Sequence, residues 1–139
     1  MSGLEFVIRP ARDDDHPFIV DSFCMSFRGQ ARARSFGQLF LRDYKWFVRA
    51  LLKRAEVRVA CLPDDPDLIL GWAMVHSENV VTYVFTKQDF RHNGIGNALL
   101  ANELKRSDIV YTHSSHQLLR IPEGWLFAPM ADVRLLVEL

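Results

Sequence analysis

Residues 91–96 read Arg91-His92-Asn93-Gly94-Ile95-Gly96, and the residues on either side give this stretch its meaning. Before it lies Val80 to Thr86, rich in Val, Thr, Tyr and Phe, which reads as a strand. Lys87 to Asn93 form a loop, and a helix is expected from about Gly94 to Arg106. A glycine-bearing loop between strand and helix is an anion cradle. Glycine adopts positive φ and lets the backbone approach a ligand closely. Successive N–H groups then point outward at the start of the helix, where its dipole favours negative charge. A pyrophosphate is the natural guest. The Rossmann pattern G-x-G-x-x-G fails because its last position is Leu99, and no acidic residue closes a second strand near Ile109-Val110-Tyr111. The nucleoside-triphosphate loop fails too, because it needs Gly-Lys-Ser/Thr.

Upstream, Ser77-Glu78-Asn79 reads as a tight turn that joins the strand to another over Leu68 to His76. Pro63 to Asp67 is a turn signal. Val57, Val59 and Cys61 alternate with Arg58 and Ala60, the period of a half-buried strand. At the start, Phe6 to Arg9 is a short strand ended by Pro10. Asp13, Asp14 and Asp15 offer a cap and an acidic first turn, with Pro17 early in the helix that follows. Val20, Phe23, Cys24 and Phe27 share one face of that helix, and Gly29 ends it. After the polar stretch Gln30 to Ser35, a second helix is expected from about Phe36 to Arg54, with Phe40, Tyr44, Phe47, Val48 and Leu51 inward. Downstream, Ile109 to Thr112 is a strand, and residues 113–124 are ambiguous, with at most a short helix before Pro122. Trp125 to Ala128 and Val133 to Val137 read as two last strands around Pro129. The order is β-α-α-β-β-β-α-β-(α)-β-β, with no repeat and no linker.

The chain has 139 residues and a mass of 16.1 kDa, the size of one domain. Apolar residues make up 49% and charged residues 24%, a globular composition. Cys24 and Cys61 lie in apolar stretches and read as reduced core thiols rather than a disulfide framework. No apolar run reaches the roughly 20 residues of a membrane span. Met1 to Glu5 carries no signal-peptide pattern, so a soluble, cytoplasmic protein is expected. The 17 basic and 17 acidic residues cancel, so no global field recruits nucleic acid. The basic residues are concentrated, however, with nine Arg or Lys from Arg28 to Arg58 against only Asp43 and Glu56.

The glycine loop resembles the acetyl-coenzyme A motif of the GNAT acetyltransferase superfamily, Arg/Gln-x-x-Gly-x-Gly/Ala after the fourth strand. Phe90 stands before it where an aromatic is common, and Asn97-Ala98-Leu99-Leu100 match the usual helix start. The order of elements is similar from Phe6 to Val137. The resemblance implies one α/β (α+β) domain over residues 1–139. Its sheet would be mixed and mostly antiparallel, six- to seven-stranded, flanked by three to four helices, with strands 4 and 5 splayed. It implies acetyl-coenzyme A as cosubstrate, with no metal. The N–H groups of His92, Asn93, Gly94, Ile95 and Gly96 would hold the pyrophosphate, flanked by Arg91 and Asn97. Val84, Phe85 and Thr86 would pair with the pantetheine arm like an added strand. An N–H of Phe85 or Thr86 would polarise the thioester carbonyl.

Such a site transfers an acetyl group directly to a primary amine, which must first lose a proton. The family's acid is commonly a Tyr on the helix after strand five. That position falls near Arg120, and no Tyr lies between His113 and Arg120. Ser114, Ser115, His113, His116 and Tyr111 are the candidates instead. For the base, Glu78, Tyr83 and His76 lie on or beside the hairpin. A strand Tyr is more often core than catalytic, a turn Glu more often solvated, and His76 at a strand end more often surface. His113 and His116 lack a third ligand nearby, which argues against a metal.

On the second helix, Arg42, Lys45, Arg49 and Lys53 fall within roughly an 80° arc that also holds Trp46. The functional reading is attraction of an acidic acceptor, and the plain one is a solvated helix face, which charge stripes usually are. The expected partner is an amine-bearing small molecule or protein, with a homodimer through the C-terminal edge strands as an option and no membrane. Two other classes compete with the enzyme reading. One is a degenerate GNAT domain that binds coenzyme A without efficient catalysis. The other is an interaction module that uses the basic helix.

Overall fold

Side-chain alternation along three consecutive strands builds the centre of the molecule. The computed structural model describes residues 4–28, 37–76, 79–113, 121–128 and 131, the side chains of residues 28 and 37–42 excepted. Strands β2 (Glu56–Leu62), β3 (Asp65–His76) and β4 (Val80–Thr86) pair antiparallel, and β1 (Val7–Pro10) adds to the free edge of β2. Strand β5 (Val110–Tyr111) joins β4 in parallel, and β6 (Leu126–Phe127) joins β5 in parallel. The described sheet therefore has six strands in chain order.

Successive strand residues point to opposite faces. Val57, Val59, Trp72, Met74 and Tyr83 enter one core, which α1 (His16–Arg28) and α2 (Gly37–Leu52) cover through Ile19, Val20, Phe23, Val48 and Leu51. Leu70, Ala73, Val75, Val81 and Val84 enter the other, which α3 (Ile95–Leu99) covers with Ile95 and Leu99. The apolar faces expected of both long helices are the buried ones, except that the side chain of Phe40 lies outside the description.

Two ion pairs pin the ends of this framework. Asp13–Asp15 form a 3-10 turn that leads into α1 rather than its first α-helical turn. The Asp15 carboxylate accepts the Arg12 N–H at 2.7 Å and the Arg9 guanidinium at 2.7 and 3.1 Å. Arg9 also donates to the carbonyl of Pro66 at 2.8 Å, which ties β1 to the start of β3. On the opposite face, Arg58 of β2 grips Glu103 in a bidentate pair at 2.7 and 2.9 Å and donates to the Leu99 carbonyl at 2.9 Å.

That second pair explains why the helix expected from Gly94 to Arg106 stops at Leu99. The last helical carbonyl turns to Arg58, and Glu103 folds inward within a short 3-10 turn, Glu103–Lys105. A long-range buried ion pair here overrides local helix propensity. The strand expected over Ile109 to Thr112 keeps only Val110–Tyr111, and that over Trp125 to Ala128 keeps Leu126–Phe127. Val133 to Val137 lie outside the described residues. No helix among the described residues is long and apolar enough to cross a membrane.

Candidate active site

The site begins where β4 leaves its neighbours. Along β3, Met74 pairs with Tyr83 but the next residue, Val75, pairs with Val81. Thr82 is thus the extra residue of a β-bulge, a device that bends a strand and re-aims its side chains. On the other edge, β5 pairs only with Val80 and Val81. From Tyr83 to Thr86, β4 has β3 on one side and no described strand on the other. This is the splay expected between strands 4 and 5.

Backbone direction in the splay follows from the register. The Lys87 N–H donates to the Leu70 carbonyl at 2.9 Å, and the Phe85 carbonyl lies 2.5 Å from where a Cβ on Gly71 would stand. In an antiparallel pair, hydrogen-bonded residues alternate. Phe85 and Lys87 therefore direct their peptide groups at β3, while Val84 and Thr86 direct theirs into the opening. The N–H expected of Phe85 is turned the wrong way, and Val84 joins Thr86 as the groups aimed into the splay. Gly71 permits this geometry, because any larger residue would collide with the β4 backbone.

Past Thr86 the chain makes a 3-10 turn, Gln88–Phe90, and enters the glycine loop. Arg91 Nε donates back to the Thr86 carbonyl at 3.2 Å, so loop and strand move as one. Its terminal nitrogens donate to no described residue and are available to an anion. Asn93 holds the loop from inside, its amide donating to the carbonyls of Phe90 and Arg91 at 3.1 and 3.2 Å. His92 and Gly94 take left-handed φ values of 68° and 79°. Ile95 is buried against Gly71 and seats the start of α3 on the sheet.

The N–H groups of Ile95, Gly96 and Asn97 donate to no described group, whereas Ala98 and Leu100 donate to the carbonyls of Gly94 and Gly96. Gly96 is the informative residue. Its φ is ordinary and a Cβ there would meet nothing within 4 Å, so no described residue requires glycine there. A ligand approaching the backbone would. The loop thus fits a pyrophosphate through its amides. The helix behind it has only 5 residues, so its dipole adds less than the sequence suggested.

The other side of the splay is aromatic. Tyr83 is 1% exposed and stacks on Phe23 with ring centroids 4.4 Å apart, and its hydroxyl pairs with Ser26 Oγ at 2.7 Å. It is a core residue that shows solvent almost nothing. His76 is not at the surface as expected but buried, with Nδ1 on Thr82 Oγ1 at 2.6 Å and Nε2 on the Leu51 carbonyl at 3.0 Å. Tyr111 lies on the opposite face of the sheet, against Phe127. Glu78, Ser114, Ser115 and His116 lie outside the described residues.

His113 lies two residues past the end of β5, after Thr112. Its Nδ1 lies 3.1 Å from the Thr82 carbonyl at the bulge and 2.8 Å from Thr112 Oγ1, and its Nε2 meets the Tyr44 hydroxyl. From the sequence, Tyr44 read only as part of a helix's apolar face. No sequence signal joins it to a residue 69 positions away.

Elsewhere, burial pushes the Cys24 thiol up to about 11, and Cys61 is fully buried. Neither is a nucleophile at neutral pH. Among the described residues, no three His, Cys, Asp or Glu side chains gather as a metal site. Lys45 of the basic stripe pairs with Asp21 of α1 at 2.9 Å, and with Arg49 and Lys53 it lines a groove of about 420 Å³ between α1 and α2. Trp46 is 69% exposed. The side chain of Arg42 lies outside the description.

No protein-family model matches the chain, and no curated protein matches it by sequence. Solved structures do match it in fold. Apo YjaB from Escherichia coli superposes with a TM-score of 0.56 at 22% identity, over 73% of this chain and 66% of that one. A GCN5-related N-acetyltransferase from Rhodopseudomonas palustris gives 0.54 at 17% identity, over 76% and 67%. A protein described as a possible acetyltransferase from Clostridium difficile 630 gives 0.52 at 22% identity, over 76% of each chain. This chain spans about two thirds of the first two. The sheet order, the parallel but splayed β4 and β5 and these likenesses establish one conclusion: the chain has the fold of the GCN5-related N-acetyltransferases, the GNAT fold.

Proposed function

We propose that the protein is an acetyl-coenzyme A-dependent N-acyltransferase that moves an acetyl group to a primary amine by direct transfer, with both substrates held at once. The observation that carries this reading is Gly96, a glycine with no steric or conformational need among the described residues, beside amides with no described acceptor. Arg91, on the same loop, adds an available cation. The peptide groups of Val84 and Thr86 face the splay, where an extended pantetheine arm would add to β4 as a strand.

The coenzyme supplies an activated acyl group. Fixed amides at the thioester carbonyl would stabilise the charge that develops there during attack. The new N–C bond forms as the C–S bond breaks. No cysteine is placed to carry an acyl intermediate, which favours direct transfer. Two free, buried thiols also suit a reducing compartment such as the cytoplasm. The acceptor is an amine on a small molecule or a protein.

The test is release of free thiol from acetyl-coenzyme A across a panel of primary amines, alongside acetyl-coenzyme A binding by thermal shift. Binding with amine-dependent release supports the proposal. No thermal shift at saturating acetyl-coenzyme A overturns it.

A further inference from the structure

The β4 bulge carries more than a bend. It leaves the Thr82 carbonyl to accept from the Thr112 hydroxyl at 3.3 Å and from His113 Nδ1 at 3.1 Å. A carbonyl can only accept, so Nδ1 carries the proton, and in the neutral imidazole Nε2 presents its lone pair. The group at Nε2 is the Tyr44 hydroxyl, which therefore donates. The arrangement orders three groups: a carbonyl that fixes the ring, an imidazole with its basic nitrogen aimed at Tyr44, and that half-buried phenol.

We propose that Tyr44 and His113 form the proton relay of this site, taking the proton that an acceptor amine must lose before it attacks. The inference rests on the transferase reading above. The amine arrives as an ammonium. Its proton passes to the Tyr44 oxygen as the Tyr44 proton passes to His113 Nε2, and the imidazolium later releases it to solvent. The neutral amine then forms the N–C bond, and its second proton goes to the departing sulfur. One ammonium and one thioester give one amide, one thiol and one free proton.

The position suits the role. His113 stands two residues beyond the last β4–β5 pair, against Phe23 and Phe27 of α1 and Tyr44 of α2, while the glycine loop leads into α3. Phe23 and Phe27 face the ring from α1, Tyr44 from α2, Tyr83 and Thr82 from β4, and Thr112 beside it. The titratable groups among these are Tyr44 and Tyr83, with His76 behind Thr82. The described groups that face the ring are uncharged and mostly aromatic. Tyr44 would touch the amine, and His113 acts through it as a positioning residue that also holds the proton.

Nitrogen-15 NMR on imidazole-labelled protein reads the tautomers directly. We expect His113 to be protonated at Nδ1, opposite to His76, whose Nε2 faces the Leu51 carbonyl. An Nε2-protonated His113 overturns the relay. In the amine assay, Tyr44→Phe should lower kcat about 10²-fold or more and leave the KM for acetyl-coenzyme A unchanged. His113→Gln, which can still bridge by hydrogen bonds, should remove the acidic limb of the kcat–pH profile. A profile identical to wild type overturns the proposal even if kcat falls. Intact coenzyme binding with no amine-dependent thiol release in wild type also overturns the relay. Absent acetyl-coenzyme A binding fails the parent reading instead, and the two failures are told apart by the thermal shift.

Discussion

Changing Gly96 to Glu separates a ligand-bearing loop from a merely structural turn. A Cβ at Gly96 meets nothing within 4 Å, and the backbone there is ordinary, so the apo protein should lose no stability. It should gain some, because glycine inside a helix is about 0.5–1 kcal/mol worse than alanine, and Glu is a good helix former. The ligand side is opposite in sign. Acetyl-coenzyme A at 100 times its dissociation constant adds about 2.7 kcal/mol to the wild type. For a domain of this size that is a rise of roughly 5–11 °C in Tm. In Gly96→Glu, a carboxylate stands where a pyrophosphate would approach, and the rise should vanish. Gly94→Glu is the instructive contrast. Its φ of +79° strains any side chain, so it should lose about 1–2 kcal/mol before any ligand is added. The assay is differential scanning fluorimetry with and without acetyl-coenzyme A. An undiminished shift in Gly96→Glu would refute the placement of the ligand on these amides.

Four further outcomes are expected. Gly71→Ala should destabilise by about 1–3 kcal/mol in urea melts, because its Cβ would lie 2.5 Å from the Phe85 carbonyl, and an unchanged midpoint would contradict the register of β3 and β4. Arg58→Met should cost about 3–5 kcal/mol by leaving Glu103 buried without its partner, with Arg58→Met/Glu103→Leu recovering much of it. The acid dependence of stability follows from the same pair and from Arg9–Asp15. Burial works to raise the Glu103 carboxyl, but the Arg58 hydrogen bonds, a backbone hydrogen bond and the charges of Arg58 and Arg106 together outweigh it and hold it below its ordinary 4.5, while the Arg9 hydrogen bond holds Asp15 below 3.8. Both groups are depressed in the folded state, so their stabilisation is complete above those values and is lost as pH falls through the folded pKa values. Equal urea midpoints at pH 5 and pH 3 would contradict it. Cys24 and Cys61 should resist thiol reagents at pH 8 until the protein unfolds, and rapid native labelling would place one of them outside the core.

What the sequence made legible was whatever has a period. Val57, Val59, Trp72, Met74 and Tyr83 alternate because a pleated strand must, and Val20, Phe23, Cys24 and Phe27 recur because a helix has 3.6 residues per turn. The glycine loop was legible because Gly94 and Gly96 flank a change from period two to helix. What stayed hidden was set by residues far apart in the chain. The end of α3 depends on Arg58, 41 residues before the Leu99 carbonyl it takes. The burial of His76 depends on a carbonyl of α2, 25 residues away. The bulge has no residue signature at all. Thr82 is an ordinary strand residue until its carbonyl finds Thr112 and His113 across the splay.

One of these hidden features, the bulge, bears on how the site works. A bulge shifts the parity of a strand by one. Before Thr82, the Val81 carbonyl faces β5 and accepts the Thr112 N–H at 3.2 Å. After Thr82 the even positions, Val84 and Thr86, face that side instead. Without the bulge, Tyr83 and Phe85 would direct their peptide groups into the opening, and Val84 would lie on the face of α1 and α2. The one extra residue therefore does two things together. It turns the Val84 and Thr86 peptide groups toward the place for an extended ligand, and it keeps the Tyr83 and Phe85 rings in the aromatic core beside Tyr44 and His113. Taking Thr82 into a regular ladder, with no residue left unpaired, would reverse both assignments at once, so the proposed coenzyme edge and proton relay rest on a single irregularity in β4.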